Sequence, residues 1–213
     1  MSNTNSVTKI TIPHYLYGRS NASRLVNHAK LMGEKNIGRK VHGSTKGFWK
    51  STMSMNKMNG TVYSAIKKNI ELTKGDMKKI IKLVLKMHKE GYYHGNIKKS
   101  KVVWKQLEDG KNFKLTGFKK MGKIEDKLDY KGPLSLIRTD PDAWFKGLYG
   151  RGYKLDLLDL FDALRDVTTF QYVNAKTYNN SDYDYYYDEM RWNEKLYKFS
   201  KWFRETVEAE VKN

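Results

Sequence analysis

Two short clusters hold the side chains best suited to chemistry: His94-Gly95-Asn96-Ile97-Lys98-Lys99-Ser100-Lys101 and Gly117-Phe118-Lys119. Neither contains a carboxylate. Asn96 carries a carboxamide, which can orient a hydroxyl but cannot take its proton at neutral pH. Lys98 and Lys101 can contact a phosphate directly, yet an ammonium has no lone pair to give a metal. Gly117 brings no side chain, so no hard oxygen ligand for magnesium stands there. Taken alone, His94-Gly95-Asn96 also reads as an ordinary turn.

The pair of clusters resembles the central machinery of a protein kinase, in which a loop H-R-D-L-K-x-x-N is followed by a β-hairpin and then by D-F-G. The Gly after the His, and Ile-Lys after the third position, resemble the casein-kinase-like and vaccinia-related kinases and their poxviral pseudokinase relatives. On that resemblance Asn96 stands at the base, Lys101 at the metal-binding Asn, Gly117 at the D-F-G Asp and Lys119 at the D-F-G Gly. His94, Lys98 and Phe118 are retained, with implied roles in loop packing, as a phosphate-facing cation and as a hydrophobic spine contact. The resemblance implies an α+β, protein kinase-like fold, with an abbreviated N-lobe over residues 1–68 and a mainly helical C-lobe over 69–213. It implies a catalytically inactive pseudokinase acting as a binding or regulatory module. Two other functions stay open: an atypical active serine/threonine protein kinase, and a nucleic-acid-binding protein reusing the fold. No cofactor is expected on the first reading; ATP and magnesium enter only if the protein is an active kinase.

The elements that must position these clusters are legible on either side of them. Thr73 to Glu90 has the period of an amphipathic helix, with Met77, Ile80, Ile81, Val84, Met87 and His88 on one face and Lys78, Lys82, Lys86 and Lys89 on the other. Thr73 with Asp76 makes a capping-box-like start, and Gly91 is a natural stop. Val102-Val103-Trp104 and Phe113-Lys114-Leu115 are β-prone runs joined by a turn at Glu108-Asp109-Gly110-Lys111. Tyr153 to Leu164 resembles the buried kinase helix whose leading Asp anchors the catalytic-loop backbone. Asp156 is the anchor expected, with Asp159 as the alternate register. Trp192, Leu196, Phe199, Trp202 and Phe203 follow helical spacing and either cover the base of the C-lobe or form a partner groove.

At the front, Val7 to Ile12 reads as a strand and Ser20 to Asn36 as a helix with Leu25, Val26, Ala29 and Met32 on its apolar face. No G-x-G-x-x-G occurs. Lys9 is the only Lys near the third strand expected of a kinase. Glu34, late in the helix, is the only acidic residue before Glu71 and so the only candidate ion-pair partner, while His28 stands where the pairing Glu would lie. Ile37 to Ser44 and Thr61 to Asn69 resemble the last two N-lobe strands and the hinge, which makes Ile66, Lys67 and Lys68 candidates for contacting a nucleotide. Lys46-Gly47-Phe48-Trp49-Lys50 reads as a strand turning through a hairpin.

Composition sets the outer bounds. The chain of 213 residues is long enough for a sizeable core and has no cysteine, hence no disulfide and no thiolate metal site. Its five histidines are scattered without a metal-ligand spacing. No apolar run is long enough to cross a bilayer and the start, Met1-SNTNSVTK, lacks a signal's apolar region, so an intracellular protein with no membrane partner is expected. The resemblance adds a compact viral genome as source, and a virus factory or virion as place. Through Lys123 there are 27 Lys and Arg against 6 Asp and Glu, a balance of +21; from Ile124 there are 14 against 17, a balance of −3. That field suits nucleic acid, an acidic or phosphorylated protein, or a kinase that the chain mimics. Lys78, Lys82, Lys86, Lys89, Lys98, Lys99 and Lys101 are the expected basic surface; simple solvation of Lys-rich faces is the alternative. The acidic run Asp182 to Asp188 reads as a surface loop or an internal counter-charge.

Overall fold

The computed structural model describes residues 6–124, 156–165, 167–168 and 185–212, the last with side chains from residue 194. Val7–Pro13 (β1) leads through the short helix His14–Tyr17 (α1) into Arg19–Glu34 (α2). Val41–Lys46 (β2) and Lys50–Asn56 (β3) then form an antiparallel hairpin that pairs with β1 in the order β1-β3-β2. Alternation decides which face is inside: Ser51, Met53 and Met55 of β3 are buried while the residues between them are only half-covered. Ala22, Val26, Ala29 and Met32 of α2 supply the opposing buried face, spaced at three and four residues as a helical stripe requires. The turn of the hairpin closes with Gly47 N donating to Lys50 O at 2.8 Å and leaves Phe48 and Trp49 exposed at its tip.

Gly60–Thr61 (β4) is followed by a helix, Val62–Lys67 (α3), where the sequence suggested a strand and hinge. The reason is local. Thr61 Oγ1 accepts from Ser64 N while Ser64 Oγ accepts from Thr61 N, a reciprocal cap that starts a helix at Val62 despite its β-branched residues. Ile66 and Lys67 therefore end a helix and Lys68 caps it, and none of the three belongs to an extended hinge.

Lys74–Lys89 (α4) begins at the expected Thr73/Asp76 capping box and buries Met77, Ile80, Ile81, Val84, Met87 and His88. Tyr92–Tyr93 (β5) comes next, then the hairpin of Val102–Leu107 (β6) and Gly110–Leu115 (β7), paired from Val102↔Leu115 to Leu107↔Gly110. A short 3-10 turn, Phe118–Lys120, precedes Gly122–Lys123 (β8), which pairs back with β5. Residues 156–165 are helical (α5), and Tyr185–Lys212 forms a long helix (α6). Residues 185–188 of the Tyr/Asp-rich run thus belong to a helix and not a loop; 182–184, like 153–155, lie outside the described residues.

The result is a mixed α+β fold with small antiparallel sheets. One continuous buried cluster runs from Ile12 of β1 through Ile80, Ile81, Phe118 and Leu157 to Phe203 and Val207 of α6, crossing the position 68/69 at which two lobes were expected to meet. Phe161 of α5 meets Phe199 and Phe203 of α6 at 5.5 and 5.4 Å between ring centroids, so the C-terminal aromatic stripe is spent on packing. The side chain of Trp192 lies outside the described residues. No helix among them is long and apolar enough to cross a membrane.

Candidate functional site

The loop after α4 is built by backbone donors turned toward two carboxylates of α5. Asp156 has no exposed surface; its Oδ2 accepts from His94 N at 2.6 Å and its Oδ1 from Gly95 N at 2.7 Å. His88 Nε2, on the buried face of α4, also donates to Asp156 Oδ2 at 3.0 Å. One turn further along, Asp159 Oδ2 accepts from Ile97 N at 2.9 Å. Residues three apart on a helix share a face, so the two registers considered from sequence are used together. Burial is the main cause that raises the Asp159 pKa, with Lys98 among the neighbours that pull it back.

Gly95 explains why this turn carries no larger residue. Its φ is 72°, and a Cβ there would stand 2.7 Å from Lys120 O. His94 lies beneath, fully buried, and its Nε2 donates to Thr116 O at 3.0 Å. With Nε2 committed to donating, Nδ1 is left without a partner among the described residues. Desolvation is the main cause that lowers the His94 pKa, so the site favours the neutral ring. Thr116 N donates to Lys101 O at 2.9 Å and Lys101 N donates to Lys98 O at 2.7 Å, stitching the loop to the end of β7.

The second cluster is fastened to the front of the chain. Phe118 is buried, 5.2 Å from the His94 ring, and its carbonyl accepts from His28 Nδ1 at 3.1 Å. The residue in the place expected for an ion-pairing Glu therefore makes a backbone hydrogen bond to the second cluster. Lys119 extends toward α1, with Nζ 5.1 Å from the Tyr17 ring centroid. Gly117 sits between, at φ 81° and ψ 41°, and the Lys101 side chain runs across it. An ammonium beside a bare glycine offers no side-chain oxygen to a metal at this point.

The other expected site residues are dispersed. Lys9 is on an exposed position of β1 while its neighbours Ile10 and Ile12 turn inward, and no ion pair joins it to Glu34 among the described residues. Asn96 is half-buried, Lys98 exposed and Lys99 half-buried. The basic face of α4 is partly covered: Lys78 and Lys82 both reach Glu210 of α6, at 3.6 and 3.1 Å. Lys86 and Lys89 are exposed. The continuous positive surface expected from Lys78 to Lys101 is thus interrupted by a carboxylate from the far end of the chain. Among the described residues, no three His, Asp or Glu gather as metal ligands would.

Sequence reasoning missed the bonds of His88, His28 and Thr116. A histidine on an apolar helix face is a usable signal, since a buried ring N–H needs an acceptor. Thr116 acts through its backbone and leaves no such trace. No protein-family model matches this chain, and no curated protein matches it closely enough to be reported as a relative.

Proposed function

We propose that this protein is a catalytically inactive, kinase-like binding module, a pseudokinase whose partners are acidic or phosphorylated proteins or a kinase it resembles. One observation carries the reading. The loop around His94 is held as a catalytic loop would have to be held, by Asp156 on two successive backbone N–H groups and Asp159 on a third, while the positions of that loop suited to chemistry are Asn96, Lys101 and Gly117. A scaffold that positions a loop to within a hydrogen bond, with no carboxylate on it to act as base or charged metal ligand, serves recognition better than transfer.

The front of the chain supports the same reading. A strand, a helix and a hairpin, β1-α2-β2-β3, are what remains of a kinase N-lobe without its Gly-rich, phosphate-covering hairpin. The cations Lys98 and Lys101 in the loop suit an anionic partner group bound directly, without a bridging metal. Calorimetric titration with ATP, with and without magnesium, tests the reading. Any ATP binding is expected to be weak and unchanged by magnesium; micromolar affinity that requires magnesium would contradict it.

A further inference from the structure

A second basic site lies away from the His94 loop, in the cleft of about 370 Å³ between α4 and the β6–β7 hairpin. Lys79, Lys82 and Lys86 reach it from successive turns of α4, and Lys111 and Lys114 line it from β7. None of the sequence patterns joins these residues. They come together because the charged face of α4 and the open side of the hairpin meet at Asn36, which follows α2. Leu83, Leu107 and Phe113 give the same cleft an apolar wall.

The lysines hold one another in place but do not neutralise one another. Lys114 Nζ donates to Asn36 O at 2.9 Å and Oδ1 at 2.6 Å, and Lys79 Nζ donates to Lys111 O at 3.2 Å, so both ammoniums rest on neutral acceptors. Lys111 pairs with Asp76 and Lys82 with Glu210, and Asp109 lines the rim. Lys86 makes no ion pair among the described residues. Lys79 and Lys114 likewise make no ion pair among the described residues, and Glu210 is shared between Lys82 and Lys78, so the cleft keeps a positive balance. The strain of this grouping is visible at Lys114, whose pKa is lowered by burial first and by the charge of Lys86 second. An anion in the cleft would offset the charge of Lys86.

We infer that this cleft binds a small organic phosphate, its dianionic phosphate group against Lys86 and Lys114 and its less polar body against Leu83 and Leu107. The positive balance suits the anionic group of a phosphate monoester, and the cleft falls in the usual size range for a small-molecule site. A long nucleic acid would instead need an extended groove free of carboxylates, whereas Asp109 lines this cleft and Glu210 pairs with its Lys82.

The test is titration of the full chain at low salt with AMP and adenosine, and with glucose 6-phosphate and glucose. AMP is expected to bind at least tenfold more tightly than adenosine, and more tightly than glucose 6-phosphate, which lacks a flat apolar body. Lys86→Glu and the milder Lys86→Gln should each weaken AMP binding, the former tenfold or more, with circular dichroism unchanged. Lys30→Glu, an equal charge change on the exposed side of α2, should leave it within twofold. Equal affinity for AMP and adenosine, no AMP binding at millimolar concentration, or equal losses from Lys30→Glu and Lys86→Glu would overturn the inference. Because Lys86 lies outside the His94 loop, nucleotide binding that ignores Lys86 but depends on Lys98 would be charged to the loop and would also overturn it.

Discussion

Lys101 lies across Gly117: its Cδ stands 2.8 Å, and its Nζ 3.1 Å, from the point where a Cβ of residue 117 would be. The two positions that the proposed reading sets at a metal site are thus coupled in space, one a glycine and the other filling the room with a cation. Gly117→Ala should cost about 1–2 kcal/mol, because φ there is positive and an L side chain is strained in that region. Lys101 is flexible at its far end and can swing aside, so the steric share of that cost should be small. Urea unfolding of Gly117→Ala in the wild-type and Lys101→Ala backgrounds separates the two: the penalty is expected to be nearly the same in both.

Asp156 carries the loop. Asp156→Ala leaves the N–H groups of His94 and Gly95 buried without an acceptor and should destabilise by about 3 kcal/mol or more. Asp156→Asn keeps one carbonyl oxygen for the two donors and should cost less. Equilibrium unfolding ranks them; a loss below ~1 kcal/mol for Asp156→Ala would mean that the loop does not depend on this anchor.

His94 gives the fold a dependence on pH. Its folded pKa is lowered, chiefly by burial, so its contribution to stability is present above the unfolded value, about 6.5, and is lost as pH falls through the folded value. Asp159 works in the opposite sense: its raised pKa, again chiefly from burial, contributes stability at low pH that is lost as pH rises through the folded value. The wild-type profile alone therefore mixes two signs. The drop in melting temperature between pH 7.5 and pH 5.5 should be smaller in His94→Gln, which keeps a donor for Thr116 O but does not titrate.

Lys82 and Lys89 lie on the same helix and look equivalent in sequence, yet only Lys82 faces Glu210. Lys82→Glu should cost about 0.5–1 kcal/mol by placing two carboxylates together, while Lys89→Glu should be near neutral. Adding Glu210→Lys should recover only part of the loss in the first case, because it also sets an ammonium beside Lys78. Thermal unfolding at low and high salt measures both.

How far the sequence leads depends on whether a feature is local. The α4 cap at Thr73 and Asp76, the buried stripe of α2 and the β6–β7 turn are written in neighbouring residues, and each stands where the pattern puts it. The helix at Val62–Lys67 hides because Thr61 and Val62 favour strands, and the cap that overrides them uses Ser64 in place of the more usual Glu or Gln. Asp156 and Asp159 look like alternatives in the sequence because it does not display that the loop offers backbone donors to both. The crossing of Lys101 over Gly117 and the meeting of Lys86 with Lys114 join residues brought together only by tertiary packing. No period or motif records them.

The most direct test of the central claim is transfer of labelled γ-phosphate from ATP with magnesium, to the protein itself and to acidic and basic model substrates. On the proposed reading Asn96, Lys101 and Gly117 supply no carboxylate to act as base or metal ligand, and no transfer above that of a boiled control is expected. Reproducible, protein-dependent transfer that disappears in Lys98→Ala would contradict the account.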